Sequence, residues 1–265
     1  MTNVEALYGL TEENIEILED VDKVLLRKIF SSHSKCPSEA FYLELGILPI
    51  KYIVKGRRLI FLHDILKRKD SELLSRFFQA QNLKPVRNDW CNTVKDDLKD
   101  LRINLSFDDI KVLSKYSFKK IVKTKIKECS LYELMSKIEN NDHSKLKNII
   151  YNELKMQPYL KSNLVSSNQA KQLFRFRTRM SNVKSNFKSM YSKIGLLCPL
   201  PGCLEIEDDK HLLECNVTSR SRKDISVDFK KLYTSNVKKQ LLLMDLLVSA
   251  ENIRDLLLED STQNV

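Results

Sequence analysis

The sequence predicts a mostly α-helical protein: a multi-helix bundle or array with a small cysteine-rich module and a helical tail at the C-terminal end. Apolar residues recur at helical spacing along most of the 265 residues. The chain has only 5 Gly and 6 Pro, which is few for a fold built from sheet turns. No convincing run of alternating apolar and polar residues predicts a strand.

Pro, Gly and capping residues divide the first part of the chain into predicted helices. Thr11 is expected to cap a helix that turns one apolar stripe inward. Pro37 and Gly46 are expected to bound a short second helix. Pro49 opens a longer helix, which Asp70 ends by capping the next one. The stripe of the first helix comprises Ile15, Leu18, Val21, Leu25 and Ile29.

Helical spacing continues through the rest of the chain. Trp90, Val94 and Leu98 recur at helical spacing, and Ser106 forms a capping-box variant with the residue three positions on. Ser117 is expected to begin another helix. The remaining predicted helices cover residues 131–139, 144–156 and 167–194, followed by the apolar tail from 237 to 258.

Length and composition exclude several classes of protein. No apolar run approaches the roughly 18 residues of a membrane span, so no membrane partner is expected. The acidic start MTNVEALYGLTEEN lacks the basic-then-apolar pattern of a secretion signal. An intracellular protein, nuclear or cytoplasmic, is therefore expected, and clustered cysteines in a reducing compartment suggest a metal before a disulfide.

The stretch CPLPGCLEIEDDKHLLEC, residues 198–215, holds four candidate metal ligands spaced C-x4-C-x7-H-x3-C. Cys198 and Cys203 bracket a Pro- and Gly-containing loop that can turn both thiolates inward. His211 and Cys215 are four residues apart, so both lie on one face of a helix. Three sulfurs and one imidazole suit a single tetrahedral Zn²⁺. The alternative is an accidental group of small buried thiols.

The other cysteines and histidines stand alone in the sequence. Each remaining cysteine lies in or beside an apolar helical segment and is expected to fill the core; these are Cys36, Cys91 and Cys129. Each remaining histidine is expected on the surface or in a loop; these are His33, His63 and His143. None is obviously paired for nucleophilic catalysis.

The net charge of +10 is concentrated in one part of the chain. Residues 154–204 contain no Asp or Glu but nine Lys or Arg. The segment is therefore expected to face an anionic partner.

A helix over residues 167–194 would place these charges around an apolar arc, with Phe174 among the bases rather than in the arc. A cationic face with an exposed ring is what binding to RNA or single-stranded DNA requires. The alternative is a solvated basic face, with Phe174 covered by a neighbouring helix. The predicted nucleic-acid contacts are Lys171, Phe174, Arg175, Arg177, Arg179, Lys184 and Lys188.

Three stretches resemble the region that follows the polymerase core in the reverse transcriptases of non-LTR (LINE-type) retrotransposons. They are FYLELGILPIKYIVKGRRLIFLHDIL, NDWCNTVKDDL and LFRFRTRMSNVKSNFKSMY, followed by the cysteine cluster. The resemblance covers residues 10 to 217, and the long gap before His211 matches that family's terminal knuckle. It implies that the four ligands bind zinc and that the region contacts RNA or target DNA.

The polymerase and endonuclease modules of that family are absent from the sequence. Polymerisation needs a carboxylate pair between apolar strands to hold Mg²⁺. The Asp-Asp pairs at 96–97, 108–109 and 208–209 all lie in predicted helices or in the cysteine-rich stretch. The chain is therefore expected to be a non-enzymatic piece.

Three regions follow from this: a helical region of the post-polymerase type over residues 1–195, a CCHC zinc knuckle over 196–217, and a helical tail over 218–265. The first hypothesis is a nucleic-acid-binding fragment stabilised by one structural zinc. The second is a helical protein-interaction scaffold derived from a retroelement, in which the tail docks on a protein partner. A catalytic reverse transcriptase is the third.

Overall fold

The computed structural model describes residues 10–32, 36–86, 89–140, 151–161, 163, 165–178, 181, 183–186, 194–219 and 237–263. Most of these residues are helical. Among them, the only pairing of extended chain outside helices is an isolated antiparallel bridge between Leu197 and Ile206. The predicted mostly α class is therefore confirmed.

The described helices, in chain order, are α1 (Glu12–Phe30), α2 (Ser38–Leu45), α3 (Ile50–Leu66), α4 (Leu73–Leu83), α5 (Trp90–Asp100), α6 (Phe107–Val112), α7 (Lys115–Asn140), α8 (Pro158–Lys161), α9 (Ser167–Arg177), α10 (Asp209–Glu214), α11 (Asn216–Ser219) and α12 (Val237–Gln263). A 3₁₀ turn covers Ile194–Leu196.

The chain divides into two compact units. Unit 1 comprises Met1–Leu25, Ile47–Lys137 and Asn152–Leu154, and unit 2 comprises Leu26–Gly46, Ile138–Tyr151 and Lys155–Val265. The predicted boundaries at residues 195 and 217 both lie inside unit 2.

Helix α3 lies at the centre of unit 1 and packs against α4, α5 and α6. Its Leu59 and Leu62 are fully buried in a core that also takes residues from α5 and the first half of α7. The guanidinium of Arg58 lies in the same interior and donates to both oxygens of Asp97, at 2.7 and 2.8 Å. Removing one partner of such a buried pair costs more than the pair contributes, because the other charge is left without compensation.

Unit 2 is built around the contact of α9 with α12 and contains a second buried charge. Glu44 is fully buried, and its carboxylate accepts from Arg177 Nη2 at 3.0 Å and from the Tyr159 hydroxyl at 2.8 Å. The Tyr151 hydroxyl donates to the same carboxylate. Burial raises the pKa of Tyr159 well above its usual range, and the Glu44 charge raises it further.

Gly46, which ends α2, lies against the backbone of a second chain segment. Gly46 has φ of 62° and ends the helix in the left-handed conformation. A Cβ at this position would overlap the backbone of Lys155 and Met156. Only glycine satisfies both conditions, and the prediction that Gly46 stops the helix is confirmed.

Several other predicted helix boundaries are confirmed. The Thr11 hydroxyl accepts from the backbone of Asn14 at the start of α1, Pro49 is the N-cap of α3, and Ser106 forms a reciprocal capping box with Asp109. The prediction for Asp70 is wrong, because the N-cap of α4 is Glu72. Asp70 instead accepts a hydrogen bond from Gln79.

The apolar stripe predicted for α1 is wrong beyond its first member. Ile15 is buried, whereas Val21 and Leu25 are 62% and 54% exposed. Leu26 and Phe30 are the buried residues near the end of the helix.

Three helix lengths differ from prediction. Helix α7 is one continuous helix of 26 residues, where two were predicted. The predicted helix over 144–156 lies partly outside the described residues, and 151–156 is not helical. The predicted helix over 167–194 ends at Arg177, where the Thr178 hydroxyl donates to the Phe174 carbonyl at 2.8 Å.

The tail prediction is confirmed as a helix. Helix α12 covers Val237–Gln263 and buries Met244, Leu247 and Ala250 in unit 2. None of the described helices combines the length and the apolar character that crossing a membrane would need.

Candidate metal centre

A short hairpin brings the two ends of the cysteine-rich stretch together. Leu197 bridges to Ile206, and the backbone N–H of Cys198 donates to the Glu205 carbonyl at 2.8 Å. Between them the chain turns through Gly202, whose φ is 79°, so that Cys203 faces back toward Cys198. The Pro- and Gly-containing loop therefore forms the turn that was predicted from its residues.

Helix α10 supplies the other two candidate ligands. Asp208 caps it, because its carboxylate accepts from the backbone N–H of His211 at 2.6 Å. His211 lies in the helix, and Cys215 follows its last residue with its N–H bonded to the His211 carbonyl at 2.7 Å. The predicted i, i+4 pair therefore meets on one side of the hairpin.

The four predicted ligands lie close enough to share one ion. One donor atom from each of Cys198, Cys203, His211 and Cys215 lies within 4.8 Å of the others. Cys203 Sγ lies 3.4 Å from His211 Nε2 and 4.0 Å from Cys215 Sγ. A tetrahedral zinc ion with bonds of about 2.0–2.3 Å sets such ligand atoms about 3.5–3.8 Å apart. The cluster could hold one metal ion.

The imidazole of His211 is oriented by a carboxylate outside the ligand set. Its Nδ1 lies 2.9 Å from Glu205 Oε2, while Nε2 points at Cys203 Sγ. An Nδ1–H donated to Glu205 leaves the Nε2 lone pair free for a metal, which is the arrangement that metal-binding histidines commonly have.

The sulfurs lie in an apolar setting. Cys198 and Cys215 pack with Leu200 in a small core, with Cys203 and Val217 at its edge. Burial raises the pKa of the Cys198 thiol to about 12 despite a backbone hydrogen bond from Leu200 that lowers it, and the neighbouring sulfurs add to the rise. A metal must therefore displace a tightly held proton, so its affinity increases with pH.

A buried glutamate ties the hairpin to the rest of unit 2. Glu207 is 2% exposed, and its carboxylate pairs with Arg254 of α12 at 2.6 Å and accepts from the Lys184 backbone at 3.2 Å. Glu205, two residues earlier in the same acidic linker, is exposed.

Two residues of the predicted nucleic-acid face are buried, which corrects that prediction. Phe174 is fully buried and stacks on Phe41 with ring centroids 5.0 Å apart, while Phe30 covers it on another side. Arg177 is 1% exposed, and its charge is compensated by Glu44. Neither side chain is available to a base or a phosphate.

The other residues of that set have different surroundings. Lys184 donates from Nζ to the Leu197 carbonyl at 3.0 Å, and Arg175 donates to the Ser31 carbonyl at 2.8 Å. Lys171 is half-buried. Arg179 and Lys188 lie outside the described residues.

The predictions for the isolated cysteines hold, and one histidine prediction is wrong. Cys36 and Cys91 are buried and Cys129 packs against the core of unit 1. His63 is 2% exposed; its Nε2 lies 3.1 Å from the Leu113 carbonyl, and its ring stacks on Phe118. His33 and His143 lie outside the described residues.

The sequence did not predict the two glutamates that support the candidate centre. Glu205 and Glu207 belong to one acidic stretch, and their spacing gives no signal that distinguishes their roles. Residues two apart lie on the same side of a strand, but the tight path of the hairpin sends one to His211 and the other to Arg254.

No family model, no curated protein and no solved structure matches the chain.

Proposed function

We propose that the protein is a non-catalytic nucleic-acid-binding protein in which one structural zinc ion is held by Cys198, Cys203, His211 and Cys215. The observation that carries the zinc assignment is the closeness of the four donor atoms, all within 4.8 Å of one another. Three thiolates and one imidazole favour zinc over the oxygen-seeking Mg²⁺ and Ca²⁺. A full set of four protein ligands is typical of a structural site, since a catalytic zinc keeps one position open.

Metal analysis of the purified protein tests the zinc assignment. We expect one equivalent of zinc in the wild type and none in Cys203→Ser. Cys129→Ser is the matched control, because that thiol lies in unit 1 and outside the cluster, and it should retain the metal. A wild type that binds no zinc after refolding with the ion would refute the assignment.

The net charge of +10 and the resemblance to the post-polymerase region of LINE-type reverse transcriptases support RNA or single-stranded DNA as the ligand. With Phe174 and Arg177 buried, base stacking on Phe174 is withdrawn and the proposed binding is electrostatic. The test uses two lysines of the acid-free segment. Lys161 is exposed, and Lys171 is half-buried.

Salt titration of oligonucleotide binding tests this part. For about three phosphate contacts, a fourfold rise in salt should weaken binding about twentyfold by counterion release. Lys161→Glu with Lys171→Glu should weaken binding further. Lys69→Glu with Lys99→Glu, two exposed sites in unit 1, makes the same change in net charge. Equal loss in both double variants would show that charge alone, and not this segment, determines binding.

The absence of catalysis is proposed from the roles of the Asp pairs. Asp97 is paired with Arg58, Asp109 caps α6 and Asp208 caps α10. One carboxylate of each pair therefore already has a structural partner. A primer-extension assay with Mg²⁺ should show no product, and any template-dependent extension would contradict the proposal.

A protein-interaction scaffold is the second candidate. Its original motivation, the apolar tail, is weaker because α12 buries its central apolar residues within unit 2. An apolar groove between α3 and α7 in unit 1, described below, favours the scaffold instead.

A further inference from the structure

Helices α3 and α7 border an apolar groove in unit 1. The groove has a volume of about 330 Å³ and is lined on the α3 side by Tyr52, Ile53 and Ile60 and on the α7 side by Val122 and Ile126. Ile53 is 36% exposed, and Ile60 is half-buried. The groove therefore presents apolar side chains that no described residue covers completely.

Gly56 leaves room on α3 for a side chain of α7. A Cβ on Gly56 would overlap the end of the Ile126 side chain. The Ile126 side chain can reach the surface of α3 here because Gly56 has no side chain. The side chains on either side of this contact then form walls rather than filling the space between the helices.

The length of the groove suits a short helix. Its α3 wall extends from Tyr52 to Asp64, which at about 1.5 Å per residue is about 18 Å. An amphipathic helix of about three turns fits within that length and presents apolar side chains at i, i+4 and i+7, and grooves of this kind receive such helices.

The rim of the groove is cationic. Lys119 and Lys123 stand on the α7 side. From Lys115 to Lys127 helix α7 contains no acidic residue, and the lining acid Asp64 is paired with Lys115 at 2.8 Å. Lys119 and Lys123 are exposed, and neither forms an ion pair with a described carboxylate. A complementary partner therefore carries acidic residues beside its apolar stripe.

The floor of the groove favours a protein partner over nucleic acid. Stacking of a base needs the accessible face of a ring. Tyr52 is only 8% exposed, and its hydroxyl is held by Glu133 at 2.7 Å. Phe61, the other ring in the lining, packs against Trp90 with ring centroids 5.7 Å apart. Aliphatic side chains form most of the remaining surface. We propose that the groove between α3 and α7 is a docking site for an acidic amphipathic helix of a partner protein. This site is independent of the metal centre, since all its residues belong to unit 1.

The test uses the full chain and a labelled synthetic peptide of about 15 residues. The peptide carries Leu at i, i+4 and i+7 with Glu at the flanking positions, and a scrambled peptide of the same composition is its control. We expect saturable binding in fluorescence anisotropy for the patterned peptide only. No saturable binding at about 100 µM peptide, or equal binding of the scrambled peptide, would overturn the proposal.

Variants locate the binding. Lys119→Glu with Lys123→Glu should weaken binding about tenfold or more, because both rim charges change sign. Ile53→Glu, at an exposed position on the wall, should do the same without affecting the fold. The matched control is Lys120→Glu with Lys127→Glu, which makes the same charge change on α7 outside the groove. An equal loss in that control would refute the assignment to the groove.

Two further arms separate this proposal from the function proposed above. Chelation of the metal should leave peptide binding unchanged. A protein that binds no zinc would therefore refute the zinc assignment but not the groove proposal. A single-stranded RNA oligonucleotide should not displace the peptide. Competitive displacement at physiological salt would identify the groove as a nucleic-acid surface and overturn the proposal of a protein partner.

Discussion

Single side chains determine which charges of this protein are available to a ligand. Arg177 and Lys171 lie six residues apart in the same acid-free segment, yet one is buried against Glu44 and the other is half-buried without a described acidic partner. A basic residue that is compensated inside the protein contributes nothing to counterion release. The count of basic residues in a segment is therefore an upper limit on its contacts with phosphate.

Glu205 provides the first prediction at this scale. Glu205→Gln replaces the carboxylate that orients His211 and should lower zinc affinity about tenfold, the lower end for such supporting groups, because the side chain is exposed. Competition with a chromophoric chelator measures the affinity. Glu214→Gln, an exposed site on the helix that carries His211, is the control. An unchanged affinity in Glu205→Gln would show that this carboxylate does not support the ligand.

Glu133 predicts a dependence of stability on pH. Burial acts to raise the pKa of its carboxyl, but hydrogen bonds from Lys137, Lys51 and Tyr52 outweigh it and lower the pKa from 4.5 to about 2. Because the pKa is lower in the folded state, the stabilisation is complete above pH 4.5 and is lost as the pH falls toward 2.

We therefore expect the wild type to lose more free energy of unfolding than Glu133→Gln between about pH 5.5 and about pH 3. Urea unfolding at the two pH values measures the difference. Glu128→Gln, an exposed site on the same helix, should behave as the wild type does. Parallel losses in the wild type and Glu133→Gln would contradict the assignment.

Helix α9 is shorter and more completely buried than its periodicity predicts. It buries Leu173, Phe174 and Phe176, which span more than one face. One side of the helix meets α12, and the Phe174 ring packs on Phe30 and Phe41. A helix that is covered from two sides does not keep the single apolar stripe that a helical wheel assumes.

The burial of Phe174 predicts a stability effect. Phe174→Ala should lower the free energy of unfolding by about 3–5 kcal/mol, because it leaves a cavity between two other rings. Phe77→Ala removes a ring that is 64% exposed and should cost less than about 0.5 kcal/mol. Denaturant unfolding measures both. A Phe174→Ala protein as stable as the wild type would mean that the ring is exposed after all.

In the whole molecule, the candidate metal centre is connected to helix α12. Helices α10 and α11 both pack against α12, and the Glu207–Arg254 ion pair adds a buried polar link. The hairpin positions two of the four candidate ligands. Its Glu207 is paired with Arg254 of α12. We therefore expect loss of the ion to lower the local stability of α12 as well as that of the ligand loop.

Hydrogen exchange after chelation tests this connection. Treatment with a zinc chelator should increase amide exchange over residues 196–219 and over 244–254, because the anchor of α12 is lost with the hairpin. Residues 118–126, in the core of unit 1, should exchange as before. Faster exchange confined to the ligand loop would show that α12 does not depend on the centre.

The helical class, the caps at Ser106 and Gly46, and the four candidate ligands were predictable from the amino-acid sequence alone. These depend on local chemistry: a capping hydroxyl, a left-handed backbone and donor atoms at short separations act over a few residues. The burial of Phe174 and Arg177, the contact of Glu207 with α12, and the groove between α3 and α7 became visible only in the folded structure. Those outcomes depend on contacts between residues far apart in the chain, and neither the period of a helix nor the sum of its charges specifies which neighbour will cover it.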